Sequence, residues 1–319
     1  MSARLERATF RAVGTSCAAA VTAGSHDARR ARAALAAAQA EVAACEGALS
    51  RFDPASDLSR LNTAGGEWTA VDRRLVEALR LADRARDDTG GRFDPTVLPA
   101  LVAAGYDRSF EQLAERPARQ ATGWRAGAPI ELDEPAGRAR LEPGTAVDLG
   151  GIGKGYAASR ALAAMRDAWP MLPGGLVDLG GDLALWGETP EGGPWRIAVA
   201  DPRRPGTNAG VLLVHSGGVA TSGRDVRRFG PGRSLHHLID PATGEPAQPG
   251  PLTVTVVAPD AAGAEAHATA LAISPPAAAA AHVAAQAGIS ALYIPHEGDP
   301  IPLGSPPLAQ NRFVVRVAA

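Results

Sequence analysis

Residues 147–156, with the sequence VDLGGIGKGY, constrain this chain more than any other stretch. The apolar run at residues 146–149 indicates a strand, and apolar residues at helical spacing indicate a helix from Tyr156 to Trp169. Four glycines fall within residues 150–155, where backbone N–H groups can approach a ligand because no Cβ intervenes. A helix N-terminus favours an anion, and Lys154 adds a positive charge. The stretch therefore predicts a nucleotide diphosphate site, with Asp148 available for a cation or a polar ring edge.

This glycine pattern differs from the two common phosphate-binding fingerprints. Lys154 is followed by Gly-Tyr rather than by Ser or Thr, so the P-loop spacing is absent, and the G-x-G-x-x-G spacing is absent too. An ordinary strand–turn–helix junction with an exposed lysine at the helix start explains the same residues equally well. A functional interpretation therefore needs agreement from other stretches.

Composition excludes several classes of protein. The 319 residues are 45% hydrophobic and 21% charged, which suffices for the core of one large domain or two medium ones. The net charge of −2 favours neither a nucleic-acid partner nor an anionic membrane. Cys17 and Cys45 form no metal or disulfide spacing, and we expect both to be buried. Because neither a signal peptide nor a long apolar run is visible, we expect a cytoplasmic protein without a membrane span.

The alternation of elements predicts a mixed α+β fold. Helices are predicted over residues 27–49, 72–88, 93–104, 156–169, 265–273 and 277–288. Strands are predicted over residues 9–23, 130–141, 175–183, 195–200, 211–215 and 252–257, and near Ala291 and Arg312. Hairpin-like strands are too many for a parallel sheet, and helices are too many for a sandwich.

Six further short blocks accompany the glycine stretch. They are residues 13–15 (VGT), 50–62 (SRFDPASDLSRLN), 93–96 (FDPT), 180–182 (GGD), 221–223 (TSG) and 237–241 (HLIDP). Together with residues 147–156, and in this order, they resemble the FAD:protein FMN transferases, or ApbE-like flavin transferases. The resemblance extends from Val13 to about Ile273, with Gly153 in place of the family's alanine.

This resemblance implies an ApbE-like T-fold of mixed, mostly antiparallel sheets flanked by helices. It implies a single domain over residues 1–319, whose two lobes enclose an FAD cleft. The implied enzyme uses Mg²⁺ to transfer the FMN moiety of FAD onto a Ser or Thr hydroxyl of an acceptor protein, and releases AMP. The acceptor would carry a D-x-x-[ST]-G-A-[ST]-like motif. A hard cation suits this reaction because negative charge builds on phosphate oxygens as the pyrophosphate bond breaks.

The resemblance also implies roles for individual residues. The residues implied to contact FAD are Phe52, Asp94, Thr96, Asp148, Lys154, His236 and Leu238. The residues implied to bind the metal are Gly151, through its carbonyl oxygen, Glu265 and Thr269. His237 is the candidate general base for the acceptor hydroxyl, because the ordinary pKa of histidine suits proton transfer near neutral pH.

Structural roles compete with several of these assignments. Asp94 precedes a proline and can cap the next helix. Thr269 can bond to its own helix backbone, and His237 can be one ring of a strand.

Two departures from the family pattern keep other functions open. Glu265 stands where the family has Asp, and Ala262 stands where some members have a second Asp, so we expect weaker Mg²⁺ binding. One alternative is a protein that holds FAD without chemistry. Another is an FAD pyrophosphatase that uses water as the acceptor and yields FMN and AMP. Residues 240–244 (DPATG) resemble part of the acceptor motif, but Glu245 and Pro246 break it.

Overall fold

The computed structural model describes residues 3–109, 113, 124–224, 228–229, 235–247 and 250–309. Its strands in chain order are β1 (Arg4–Ala12), β2 (Thr15–Ala23), β3 (Thr69–Ala70), β4 (Ile130–Asp133), β5 (Arg138–Leu141), β6 (Gly174–Leu179), β7 (Leu183–Gly187), β8 (Trp195–Ala200), β9 (Asn208–Val214), β10 (Gly217–Gly223), β11 (Arg228–Phe229), β12 (Leu235–His236), β13 (Ile239–Asp240), β14 (Glu245–Pro246), β15 (Thr253–Ala258), β16 (Ser290–Ile294) and β17 (Ile301–Leu303). Its α-helices are α1 (Ala28–Leu49), α2 (Asp57–Thr63), α3 (Arg73–Asp88), α4 (Leu98–Ala103), α5 (Gly153–Ala168), α6 (Ala261–Ala272) and α7 (Pro276–Ala285).

The largest sheet has eight strands in the order β1-β2-β6-β7-β10-β15-β16-β17, and every neighbouring pair is antiparallel. Smaller sheets are formed by β3-β5-β4, β8-β9, β11-β12 and β13-β14. This arrangement confirms the predicted α+β fold class. No helix in the described ranges is both long and apolar enough to cross a bilayer.

Two hydrophobic cores share α6 as a common wall. The first core joins α1, α3 and α5 to the β2–β6 part of the sheet, and α6 contributes Ala262, Ala266 and Ala270 to it. The second core joins α7 to β10, β15 and β16, and α6 contributes Ala264 and Ala268 to it. A helix that is apolar on all sides is stable only when it is enclosed in this way. The few polar side chains on α6 must therefore find partners inside the protein.

Local sequence signals explain where the helices begin. The Ser56 hydroxyl accepts a hydrogen bond from the Ser59 N–H at 3.0 Å at the start of α2. Asp260 does the same for α6, accepting from the Gly263 N–H at 2.8 Å. Capping side chains of this kind satisfy N–H groups that have no partner within the helix. Because of the Asp260 cap, α6 begins four residues before Glu265, where the prediction started it.

The predicted strand at residues 146–149 is wrong. The Asn62 side chain brackets the backbone of Val147, accepting from its N–H at 2.7 Å and donating to its carbonyl at 2.9 Å. The Asp148 N–H donates to the Pro95 carbonyl at 2.8 Å. The segment is thus held by a side chain and a turn instead of a strand neighbour.

Other element predictions are confirmed within a few residues. Helix α5 begins at Gly153 instead of Tyr156, so residues 150–152 alone form the turn before it. Cys17 and Cys45 are free and buried, as expected. The strand predicted near Arg312 lies outside the described residues.

Candidate functional site

The N-terminus of α5 lies directly against α6. A Cβ atom on Gly155 would lie 2.1 Å from the Ala261 carbonyl oxygen, so only glycine permits this approach. The Gly155 N–H also donates to Glu265 Oε2 at 2.8 Å. The last of the four glycines, in the first turn of α5, therefore serves helix packing.

A buried ion cluster closes this junction. The Lys154 ammonium donates to an oxygen of Asp182 and, at 2.8 Å, to Glu265 Oε1. The two carboxylate side chains are only 4% and 3% exposed, and Lys154 is 21% exposed. We call these three residues the lysine cluster. One cation faces two anions, so the cluster carries a formal charge of −1, and both oxygens of Glu265 already accept hydrogen bonds.

The glycine turn and α6 also meet through two neutral oxygens. The Thr269 hydroxyl donates to the Gly151 carbonyl oxygen at 3.4 Å. A Cβ on residue 151 would lie 2.9 Å from Thr269 Oγ1 and 3.1 Å from the Phe93 ring, so glycine is needed here as well. The long-range approach that the resemblance implied is therefore present.

These two oxygens fit a hard cation. Neighbouring ligands of an octahedral Mg²⁺ with bonds near 2.1 Å lie about 3.0 Å apart, close to the Gly151–Thr269 oxygen separation. Glu265 lies one helical turn before Thr269 but faces Lys154 and the Gly155 N–H. Among the residues that the structure describes, no three His, Cys, Asp or Glu side chains converge on a point that could hold a metal.

A second ion pair lies at the start of the turn. Arg51 Nε lies 2.7 Å from Asp148 Oδ1, and the two side chains are 7% and 15% exposed. The other oxygen of Asp148 accepts from the Gly150 N–H at 3.0 Å. We call Arg51 and Asp148 the arginine pair. Its carboxylate thus binds both a buried guanidinium and the first N–H of the glycine turn.

Aromatic rings surround the arginine pair. The Arg51 guanidinium carbon lies 4.1 Å from the Phe52 ring centre and 4.7 Å from that of Tyr106. The centres of these two rings are 6.2 Å apart, and the His237 ring centre is 6.5 Å from that of Tyr106. The structure thus brings Phe52, Asp148 and His237 into one region. Phe52 is 45% exposed, which leaves part of its ring open to a ligand.

Sequence reasoning missed two members of this region, Arg51 and Tyr106. Arg51 lies inside the block at residues 50–62, and its position before Phe52 was the available signal, because Arg and an aromatic ring commonly stack. Tyr106 follows α4 and lies outside all seven of the sequence blocks. The role of Asp182 was also missed, although a buried carboxylate requires a counter-charge.

Asp94 and Thr96 are buried and bond to each other. Asp94 Oδ1 accepts from the Thr96 N–H at 2.8 Å and from its hydroxyl at 2.7 Å, while Oδ2 accepts from the Gly127 N–H at 2.6 Å. The Trp124 indole N–H donates to the Thr96 carbonyl at 2.8 Å. The capping role of Asp94 is therefore present, and FAD contact by either residue stays a prediction.

The residues that flank His237 have side chains used by the fold. The ring of His236 is buried, with Nε2 3.0 Å from the Ala247 carbonyl oxygen. Leu238 is buried in the second core. His237 itself is half-buried. The contacts of His236 and Leu238 with FAD stay predictions.

An ion network anchors the outer face of α5. Arg160 lies 3.0 Å from Glu41 Oε1 and 3.1 Å from Glu77 Oε2, which also accepts from the Tyr156 hydroxyl at 2.9 Å. Burial alone would raise the pKa of Glu41, but hydrogen bonds from Arg74 and Arg160 outweigh it and hold that pKa below its usual value. Burial and the Glu77 carboxylate raise the pKa of Tyr156. The helix that carries Lys154 is thus fixed to α1 and α3.

Known proteins resemble this chain over most of its length. A family model described as "ApbE family" matches residues 13–293. The FAD:protein FMN transferase of Klebsiella pneumoniae (strain 342) is 30% identical over 271 residues, covering 82% of this chain and 76% of the relative. The protein of the same name from Escherichia coli (strain K12) is 30% identical over 264 residues, covering 80% and 72%.

Solved structures superpose on this chain over most of its length. The ApbE protein from Thermotoga maritima superposes with a TM-score of 0.79 at 27% identity, covering 94% of this chain and 97% of that one. Apo flavinyl transferase ApbE from Pseudomonas stutzeri superposes with a TM-score of 0.77 at 23% identity, covering 95% and 94%. Because this protein is only 23% identical, its similarity shows the fold alone.

Proposed function

This chain belongs to the ApbE family, and from that premise we propose that it transfers the FMN moiety of FAD onto a Ser or Thr hydroxyl of an acceptor protein and releases AMP. One structural observation supports the proposal in addition to the family membership. The Gly151 carbonyl and the Thr269 hydroxyl, 118 residues apart in sequence, lie 3.4 Å apart beside the glycine turn. That approach supplies the junction at which a diphosphate and a metal would meet.

The proposed reaction balances as a phosphoryl transfer. The acceptor hydroxyl oxygen attacks the FMN phosphorus, and a new P–O bond forms. The bond from that phosphorus to the bridging oxygen breaks, and AMP leaves with this oxygen. The acceptor proton goes to a general base, for which we propose His237. Its ring lies beside Tyr106 in the region of the arginine pair, and such a base contributes about 100- to 10,000-fold to rate.

We propose that Phe52, Asp148 and Lys154 contact FAD. The partly exposed Phe52 ring offers a stacking face, and Asp148 borders the glycine turn. The buried pair Asp94 and Thr96 would shape the wall of the site. His236 and Leu238 would contribute through their backbone, since their side chains are bound elsewhere in the fold.

The proposed metal is Mg²⁺. The Gly151 carbonyl, the Thr269 hydroxyl and the Glu265 carboxylate would hold it, and it would neutralise charge on the phosphate oxygens. The acceptor motif D-x-x-[ST]-G-A-[ST], a cytoplasmic location and a single two-lobed domain over residues 1–319 belong to the same proposal.

The lysine cluster favours one second candidate. Both oxygens of Glu265 are engaged by Lys154 and Gly155, so its availability to a metal is reduced. A protein that holds FAD without transferring its FMN moiety is consistent with that arrangement.

Intact mass spectrometry tests the proposal. The protein is incubated with FAD, Mg²⁺ and a domain that carries the acceptor motif, beside the same domain with its acceptor Ser or Thr replaced by Ala. We expect an FMN adduct on the first domain only, with one AMP released per adduct. FMN and AMP without an adduct would establish the pyrophosphatase, and bound, unchanged FAD would establish the second candidate.

A matched pair of variants tests the base. We expect His237→Ala to lower the transfer rate about 100-fold or more, while His215→Ala, at an exposed position, leaves it unchanged. Undiminished transfer by His237→Ala would remove His237 as the base.

A further inference from the structure

One buried nitrogen of Arg51 has no hydrogen-bond partner in the part of the chain that the structure describes. The Arg51 side chain is 7% exposed, its Nε is paired with Asp148, and its Nη2 is buried without a hydrogen-bond partner among the described residues. A buried donor left unbonded costs about 1–3 kcal/mol, and more when it is charged. Native folds seldom keep such a group unless a ligand, ion or water completes it.

We propose that Arg51 is a binding residue for the diphosphate of FAD, with Nη2 donating to a non-bridging phosphate oxygen. This assignment rests on the proposed function. A guanidinium only donates hydrogen bonds, so its partner must be an acceptor, and a positive charge favours an anionic one. Arg51 is bound to Asp148, which in turn binds the Gly150 N–H at the start of the glycine turn. The open donor therefore lies beside the segment predicted to bind phosphate.

The other cation near the turn is poorly suited to this role. Two of the three ammonium N–H donors of Lys154 are taken by Asp182 and Glu265, and the cluster has a net formal charge of −1. An anionic diphosphate gains little from a cation whose charge is already exceeded by its neighbours. Arg51 faces one carboxylate, so its pair is neutral and keeps a donor.

The surroundings of Arg51 fix it before a ligand arrives. Its guanidinium stacks near the rings of Phe52 and Tyr106, and Asp148 holds its Nε. A side chain that is already ordered loses little rotamer entropy on binding. The planar donor group is thus preorganised, which a lysine at this position could not reproduce.

Ligand affinities of variants test this inference without turnover. Dissociation constants of wild type, Arg51→Gln and Arg51→Lys are measured without metal for FAD, riboflavin and adenosine. Arg138→Gln, which makes the same charge change at a side chain 46% exposed on β5, is the control. We expect Arg51→Gln to weaken FAD binding about 10- to 100-fold, with riboflavin and adenosine affinities within about twofold of wild type. Inorganic pyrophosphate should compete with FAD on wild type and on Arg138→Gln, but poorly on Arg51→Gln.

Three results would overturn the assignment. They are unchanged FAD affinity, a matching loss for riboflavin, and a matching loss for adenosine, which would place the donor on the purine. Should Arg51→Gln fail to fold, Arg51→Lys carries the test, with an expected FAD loss of about threefold or more, and an unchanged affinity there would refute it. Wild type that binds FAD but forms no adduct would remove the proposed transfer while leaving the Arg51 assignment intact.

Discussion

Two cations flank the glycine turn, and the fold treats them in opposite ways. In the lysine cluster, Lys154 faces two carboxylates that are almost wholly buried. Within the described ranges, Arg51 of the arginine pair faces a single carboxylate and keeps one buried nitrogen without a hydrogen bond. The first arrangement is complete without a ligand, and the second is not. Whether a cationic side chain beside a glycine turn can bind phosphate therefore depends on the hydrogen-bond donors that its neighbours leave open.

Removing the cation of the lysine cluster should have the largest effect. Lys154→Met leaves Asp182 and Glu265 buried and uncompensated, so we expect the free energy of unfolding to fall by about 3–5 kcal/mol at pH 8. Urea titration measures this.

A double variant sharpens this test. Adding Glu265→Gln to Lys154→Met removes one of the two facing charges and should recover part of the lost stability. A Lys154→Met protein as stable as wild type would show that the cluster contributes nothing to folding.

Breaking the arginine pair should cost less stability. Asp148→Asn keeps an oxygen for Arg51 Nε, and the guanidinium keeps its neighbouring rings, so we expect a loss of about 2 kcal/mol. FAD affinity should fall as well. Asp167→Asn, at an exposed position on α5, is the matched control and should be neutral. A larger stability loss for Asp148→Asn than for Lys154→Met would reverse the contrast between the two sites.

A buried histidine pair joins α6 to α7. His267 Nδ1 lies 2.9 Å from His282 Nε2, and both rings are buried. Burial, followed by the charges of His267 and Arg92, lowers the pKa of His282 to about 4, while Asp88 opposes this shift. The unfolded chain therefore takes up protons first as pH falls below about 6.5, so stability is complete above that pH and is lost towards pH 4.

We expect His282 to account for about 1–2 kcal/mol of lost stability between pH 7 and pH 5. Urea titrations at the two pH values measure it. His282→Gln should reduce the pH dependence, and His215→Gln, at an exposed position, should leave it unchanged. Equal pH dependence in wild type and His282→Gln would refute the prediction.

The smallest effect should be a gain in stability, at the first residue of α5. A Cβ on Gly153 would meet only the Leu149 Cβ at 3.6 Å, an ordinary contact, at the first residue of α5. Gly153→Ala should therefore raise the free energy of unfolding by about 0.5 kcal/mol. Thermal unfolding should show a slightly higher melting temperature. The same change at Gly155 would drive a methyl group into the Ala261 carbonyl. A destabilised Gly153→Ala would show that residue 153 needs glycine for another reason.

Much of the fold and part of the site could be predicted from sequence because their signals are local. Capping residues such as Ser56 mark helix starts. The family resemblance, in turn, implied roles at one metal for Gly151 and Thr269, which lie together in the structure. The strand at residues 146–149 was mistaken because an apolar run indicates an extended chain but does not identify its partner. Here the partner is the side chain of Asn62, more than 80 residues away.

Pairing between distant residues could not be read from the chain. Nothing near Asp182 in sequence indicates that it shares Lys154 with Glu265. Likewise, the contact of Arg51 with Tyr106 depends on how the segment after α4 folds back. The sequence shows that a buried charged side chain needs a partner of suitable chemistry. Only the tertiary structure shows which residue is that partner.

The backbone contact at Gly155 limits how this protein could open. With α5 and α6 touching without intervening side chains, neither helix can slide past the other to widen the space between them. The approach to the turn that remains for a bulky dinucleotide is the side where Phe52 is 45% exposed.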